Sequence, residues 1–300
     1  MGYGIGLHLS TSGWSMKGNA RGAIAVALPL AFLLIFFFLP LALSVKNSMY
    51  NTHADFIGLS TYAEVISDPH FLDTFRYTLE VSAFSTILAV AAAVVISMAI
   101  RGTFAGKKLS LFLFQMNASI PHLSVAAMML FLLLPSGFMS SLAYQLGLID
   151  TYAAFPTIVG GTSGSGVIMS FAWKFAPFIG LSVLSVLQSA TPEYEQQAAT
   201  LGMGPWARFR HIVLPMISPA IISSSIICFA FAFGSYEVPL LLGLNDTLAI
   251  ESYNLFRSIY GMEHLDRAYV LSNIITMVTL ALTIVYFWFA IPKGKGRRTD

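Results

Sequence analysis

Six stretches of this chain are too long and too apolar to be elements of a water-soluble domain. They run over roughly residues 23–45, 80–100, 110–134, 167–188, 216–240 and 269–291. A helix rises 1.5 Å per residue, so about 20 apolar residues are needed to cross a hydrocarbon core. No water reaches that core, so each crossing segment must satisfy its own backbone, which a helix does. Only 10% of the 300 residues are charged, against about 25% in soluble domains; lipid must therefore solvate much of the surface. The first stretch is too long for a signal-peptide core and lacks a small-residue cleavage site after it, so it reads as an uncleaved anchor. Met1-Gly2 is not a myristoylation signal, because Gly6 stands where Ser or Thr is needed. The expectation is an all-α membrane protein with six transmembrane helices. It has a tail over 1–22, a membrane domain over 23–291 and a basic tail over 292–300.

Lys and Arg set the orientation. One group of flanks carries Lys17, Arg21, Arg101, Lys107, Lys108, Arg208, Arg210, Lys293, Lys295, Arg297 and Arg298, and the opposite group only Lys46, Arg76, Arg257 and Arg267. This bias predicts both termini in the cytoplasm. The outer segments then hold most of the acids, among them Asp55, Asp68, Asp73, Glu251 and Asp266. Such a face either steers a basic partner or simply solvates loops that lack lysine. Cys228 is the one cysteine, which excludes a disulfide framework and a Cys-rich metal site; it reads as a small packed hydrophobe.

The segment 191–215, between spans four and five, is strongly patterned. Thr191 suits a helix cap, Pro192 the first helical position, and Glu193 and Glu195 the first turn, where the dipole is positive. Tyr194, Ala198 and Leu201 recur at helical spacing and predict one apolar stripe. Gly202 suits the left-handed residue that ends a helix. A second helix is expected from Gly204 and Pro205, with Trp206, Phe209 and Val213 on its apolar face and Pro215 at its end. Two helices this short are marginal in water unless something docks on them.

At this point the residues resemble a known family. Gln196-Gln197-Ala198-Ala199-Thr200-Leu201-Gly202, followed by Ile212-Val213-Leu214-Pro215, is similar to the EAA loop of binding-protein-dependent ABC transporter permeases. The family pattern is Glu-Ala-Ala, three residues, Gly, nine residues, Ile, one residue, Leu-Pro. Gln196 stands here for the family's Glu and Gln197 for its first Ala, so Glu195 or Glu193 is a candidate substitute. The likeness extends to Phe56-Ile57-Gly58-Leu59, Tyr62, Asp68 and Phe71, to Gly147-Leu148, and to the run from Gly166-Val167 to Pro177-Phe178. Phe233-Gly234-Ser235-Tyr236-Glu237-Val238-Pro239 with Leu241-Leu242-Gly243 resembles the spermidine/putrescine-type group.

The resemblance implies the six-helix permease fold of a type I importer in the cell inner membrane. It implies that the chain is a transport subunit and not an enzyme, with no catalytic residue, metal or cofactor of its own. The implied partners are ABC ATPase subunits that bind the ATP, a second permease that is identical or related, and a periplasmic solute-binding protein. Lipid is the surrounding medium, and no nucleic acid is involved. The coupling residues would be Glu193, Glu195, Gln196, Gln197, Ala198, Leu201, Gly202, Trp206, Ile212, Leu214 and Pro215. The solute would be a small one of the polyamine-like, phosphonate, opine or iron class. No Gly-x-x-x-x-Gly-Lys-Ser/Thr run occurs in the chain, so it has no phosphate-cradling loop of that kind.

Two ionisable residues, Lys174 and Glu237, fall well inside the predicted spans. A membrane-centre charge costs about 3 kcal/mol, so each must face protein or water. They are expected at comparable height, as an ion pair or as lining of the transport path. Pro121, beside His122 and near Asn117, predicts a kink in span three. Gly161-Thr162-Ser163-Gly164 fits a rhomboid-protease signature, but spans five and six hold no histidine to serve as base. A secondary transporter remains the alternative; no internal repeat of the kind such proteins carry is evident.

Overall fold

The computed structural model describes residues 19–50, 55–189, 191–257 and 264–290. Its helices are α1 (Asn19–Leu33), α2 (Leu39–Asn47), α3 (Ser60–Ser67), α4 (Pro69–Ile100), α5 (Lys107–Ser119), α6 (His122–Leu133) and α7 (Phe138–Gln145). There follow α8 (Ser165–Ser189), α9 (Thr191–Thr200), α10 (Pro205–Arg208), α11 (Leu214–Gly234), α12 (Glu237–Leu241), α13 (Leu248–Arg257) and α14 (Leu265–Ala290). The protein is all-α as expected.

Six helical stretches are long and apolar enough to cross a membrane: Val26–Asn47, Pro69–Ile100, His122–Gln145, Ser165–Ser189, Pro205–Gly234 and Leu265–Trp288. Three differ in place from the sequence expectation, the second because it begins at Pro69 rather than near residue 80. The third was expected over 110–134, but the chain breaks at Ile120 and Pro121 between α5 and α6, because Pro121 has no N–H to continue the ladder. The fifth was expected over 216–240; it starts at Pro205 and stops at Gly234. Helix α1 begins at Asn19, inside the stretch expected as a tail; the rest of both tails lies outside the described residues, apart from Arg21 and Gly22 within α1.

The chain divides into two compact units, Met1–Asn47 and Ser48–Asp300. In the first, α1 and α2 are joined by a wide turn over Leu34–Phe38, and none of the residues from Val26 to Asn47 is buried. That turn precedes Leu39-Pro40, and a second wide turn over Phe209–Val213 precedes Leu214-Pro215. In both, the leucine N–H reaches back five residues, to Leu34 and to Phe209. Widening a turn relieves the clash of the proline ring with the carbonyl four residues earlier, so each helix passes its proline.

The second unit is built around α8. Its membrane-crossing window is 67% buried, against 17–33% for the other spans of this unit. Helix α4 supplies small residues at Ser85, Ala89, Ala93 and Ser97, all buried and three to four apart on one face. Such a stripe lets two backbones approach, which is what drives helix association in lipid, where apolar burial alone gives little. Ser97 Oγ donates to Gly180 O at 2.9 Å. A Cβ at Gly180 would lie 2.5 Å from the Phe114 ring, so any larger residue there must displace that ring. Phe171, Phe175, Ile179, Val183 and Leu187 of α8 form the spine of the main core. A smaller core, around Phe71, Phe233, Leu248 and Leu271, ties the start of α4 to α11, α13 and α14.

Candidate functional site

The helical hairpin α9–α10 carries the residues singled out by the sequence pattern. Helix α9 ends as expected: Gly202 has φ +81°, its N–H donates to Ala199 O, and the Met203 N–H donates to Ala198 O. This pair of bonds is the Schellman closure, which satisfies carbonyls that the helix end would otherwise leave open. Gly204 caps α10 and Pro205 takes its first position. The helix start falls at Thr191, whose side chain lies outside what is described.

Two expectations for this hairpin need correction. Pro215 does not end its second arm, because the wide turn over Phe209–Val213 carries α10 straight into α11. The hairpin arm and span five are therefore one helical rod. The stripe of Tyr194, Ala198 and Leu201 does not hold together either. Ala198 is buried while Tyr194 and Leu201 are exposed, because α9 rests its Ala198 face on the rest of the unit. Glu195, the candidate substitute for the family's Glu, has a partner within the chain. Its carboxylate accepts from Arg101 Nη1 at 2.6 Å, with both side chains less than a third exposed. The partner lies at the end of α4, 94 residues earlier.

The hairpin turns large apolar side chains outward among its polar ones. Leu201 is 83% exposed and Trp206 70%, with Tyr194 beside them in the same class. Trp206 stacks on Phe209 with ring centroids 5.6 Å apart. Glu193, Gln196, Gln197, Gly202, Leu214 and Pro215 are also exposed, and Ile212 is half-buried. A cavity of about 200 Å3 separates the hairpin from the end of α4 and is lined by Arg101, Glu195, Arg208 and Phe209. The buried Nε of Arg208 has no hydrogen-bond partner among the described residues.

Inside the membrane-crossing region, Lys174 and Glu237 do not meet. Lys174 is 6% exposed; its ammonium donates to Asn117 O and Ala118 O, each at 2.9 Å, and to Ile120 O. All three donors are thus taken by carbonyls at the end of α5. Glu237 is exposed at the first position of α12, because the chain leaves α11 at Gly234 and extends through Ser235. It lies outside the spans, and no ion pair among the described residues joins it to Lys174. His122 stacks on Phe231 at 4.2 Å. A cavity of about 400 Å3 adjoins it, lined by Pro121, His122, Lys174, Phe178, Cys228 and Phe231. The expected kink at Pro121 is a full break, and the polar group that closes it is Lys174. Ser163 sits in a loop, its Oγ 2.9 Å from Ser165 Oγ, with no histidine base beside it among the described residues.

At the α3–α13 end, Arg267 reaches Asp68 at 2.6 Å and Glu251 at 3.5 Å, and Thr61 donates to Asp266 at 3.2 Å. The Arg267 bond, then the His70 N–H, hold the Asp68 carboxyl below the usual carboxylate range. Two of the acids read as a possible partner surface are therefore spent on internal pairing. The structure also brings in residues that the pattern did not mark, above all Arg101 and Asn117. Arg101 looks like any basic flank in the sequence; no local signal ties it to Glu195.

Comparison with known proteins agrees with this architecture. Residues 85–291 match the family model described as "Binding-protein-dependent transport system inner membrane component". The chain is 31% identical over 151 residues to "Inner membrane ABC transporter permease protein YdcU" of Escherichia coli (strain K12); that alignment takes in 48% of this chain and 46% of that protein. It is 22% identical over 275 residues to "Putative 2-aminoethylphosphonate transport system permease protein PhnU" of Salmonella typhi, covering 90% of each. Among solved structures, a chain of a bacterial alginate ABC transporter in complex with alginate pentasaccharide-bound periplasmic protein superposes with a TM-score of 0.70. It shares 18% identity over 91% of this chain and 93% of that one.

Proposed function

Because this chain belongs to the family of binding-protein-dependent transport system inner membrane components, whose members are transport permeases and not enzymes, we propose that it is one permease half of an ATP-driven ABC importer. It pairs with a second permease, identical or related. An ATPase subunit grips the α9–α10 hairpin in the cytoplasm and binds the ATP. A periplasmic solute-binding protein delivers the solute at the opposite face, and both termini lie in the cytoplasm.

One observation carries this reading. Leu201 and Trp206 are more exposed than most side chains of the core spans, yet they sit on a polar hairpin rather than on a lipid-facing helix. Large apolar and aromatic side chains presented in this way are anchors for a protein partner. The hairpin is also mechanically connected at both arms. Its second arm is continuous with α11, and its first is pinned to α4 through Glu195 and Arg101. A pull on Trp206 therefore reaches spans two and five together, which is what a rigid-body alternation between inward- and outward-facing states requires.

For the solute we favour the phosphonate member of the polyamine-like, phosphonate, opine and iron classes. Likeness along 90% of the chain to a permease named for 2-aminoethylphosphonate supports that choice. The run from Phe233 to Gly243 is what supports placing the chain near the spermidine/putrescine-type group.

The test is uptake by the reconstituted complex of this chain, its partner permease, the ATPase and the binding protein. Uptake of a phosphonate is expected to require ATP hydrolysis and to survive collapse of ion gradients. Uptake that follows the ion gradient and ignores ATP would establish a secondary transporter instead.

A further inference from the structure

The prolines of α5–α6 and α8 are linked in a way that their positions alone do not suggest. In a helix each N–H donates to the carbonyl four residues earlier. Pro121 has no N–H, so Asn117 O loses its four-residue donor and keeps only the Ile120 N–H, at 3.3 Å; Pro177, inside α8, likewise takes the four-residue donor from Trp173 O. Each of these carbonyls is taken up by a side chain of the other helix. Lys174 Nζ donates to Asn117 O at 2.9 Å, and Asn117 Nδ2 donates to Trp173 O at 2.9 Å. The donors are the very residues at or next to the affected positions. The two breaks therefore satisfy one another, and Lys174 extends the closure to Ala118 O and Ile120 O.

We propose that this reciprocal clasp between Asn117 and Lys174 is a two-position hinge of the transport cycle, with both side chains acting as positioning residues. The inference rests on the permease reading above. Side-chain donors can exchange partners by rotating, without unravelling a helix, whereas backbone ladders cannot. Unfilled volume lies on both sides of the clasp. The cavity of about 400 Å3 adjoins Lys174 and Pro121, and a second of about 340 Å3 adjoins Asn117, Trp173 and Pro177. Helix α5 thus has room to swing against α8 in either direction, which a close-packed interface would forbid. The buried Oδ1 of Asn117 has no hydrogen-bond partner among the described residues, so the amide has an acceptor to engage a donor in a second position. A lysine whose three donors are all occupied has none left for a passing solute, so this geometry points to a mechanical role for Lys174.

Cys228, the one cysteine of the chain, lines the larger cavity and is only 3% exposed, so its labelling reads opening of that cavity. In membranes holding the assembled complex, the rate at which N-ethylmaleimide labels Cys228 is compared without nucleotide and with ATP plus vanadate. The wild-type chain is expected to show a change of at least about fivefold, the lower end of ordinary coupling between sites. Asn117→Leu lowers the melting temperature in detergent by stranding Trp173 O. Adding Pro177→Ala returns a backbone N–H to that carbonyl and recovers the melting temperature, yet both the nucleotide-dependent change in labelling and uptake stay lost. A repaired double variant that retains the wild-type labelling change and uptake would overturn the hinge and leave a purely structural clasp. A wild-type complex that transports but whose labelling ignores nucleotide would overturn the hinge alone, and one without ATP-dependent uptake would overturn the permease reading and the hinge with it.

Discussion

Helix α8 and the α9–α10 hairpin are adjacent in the chain and opposite in how they use apolar residues. Along α8, Phe171, Ile179 and Leu187 are at most 2% exposed, and most of the helix, though not Trp173 or Phe178, is covered by the same unit. On the hairpin, only Ala198 is turned inward, while Leu201 and Trp206 face out. The first region is complete within one chain. The second is complete only when a partner covers it, and its own fold is held by caps and by one ion pair rather than by a core. Exposure of large apolar groups therefore has two meanings here: spans leave them to lipid, and a polar hairpin leaves them to protein.

The sharpest way to break this contrast is to put the same charge into both regions. Ile179→Asp places a carboxylate where nothing can pair with it, at a cost of more than about 3 kcal/mol. Folded protein should vanish from the membrane, as measured by its level and by gel filtration in detergent. Leu201→Asp should leave that level unchanged and instead reduce ATPase co-purification by tenfold or more, about 1.4 kcal/mol or greater. If Leu201→Asp is as destructive to folding as Ile179→Asp, the hairpin is core and the contrast fails.

Gly202 separates backbone from docking. A Cβ there meets nothing within 4 Å, so Ala and Asp both incur chiefly the left-handed backbone cost of about 1–2 kcal/mol. Gly202→Ala should keep most of the transport, and Gly202→Asp should abolish it while the chain stays in the membrane. Equal uptake by the two variants would show that the surface at Gly202 meets no partner.

Smaller effects follow at the two ends of the molecule. Glu195→Gln removes the charge facing Arg101 from a partly exposed pair, worth about 1 kcal/mol or less. Melting should hardly move, while the ATPase turnover needed per solute imported rises, because the hairpin is uncoupled from α4. Unchanged stoichiometry would show that α11 alone carries the motion. Asp68 provides the smallest test. Its carboxyl is held below the ordinary value by Arg267, so its contribution is complete above the unfolded value of about 3.9 and is lost as the pH falls through the depressed one. Melting in detergent should drop across that acid window, and Asp68→Asn should flatten the drop.

Much of the hairpin is legible in the amino-acid order, since Gly202, Gly204 and Pro205 act through local backbone rules. Its orientation is not. Helical spacing places Tyr194, Ala198 and Leu201 on one stripe, but which of them turns inward depends on what lies beneath, and α4 comes from another part of the chain. Pro215 departs from expectation for a related reason: a proline signals trouble for the ladder, and a wider turn is one of the ways to absorb it. The offsets Asn117 to Pro121 and Trp173 to Pro177 mark, in the sequence itself, two carbonyls that lose their four-residue backbone donor. Which side chain reaches each carbonyl depends on α5 and α8 lying together, and pairing Lys174 with Glu237 by height alone fails at that step.

Taken alone, the sequence determined that this chain lives in a membrane, how many helices cross it and where its hairpin turns, because those follow from hydropathy, length and single-residue conformational limits. Tertiary structure decided the partners of Lys174, Glu195 and Asp68, the division of the hairpin into a buried and an exposed face, and the joining of that hairpin to two spans. Hydrogen bonds and ion pairs form between whichever groups packing brings within about 3 Å, and that proximity is a property of the whole fold rather than of any stretch of it.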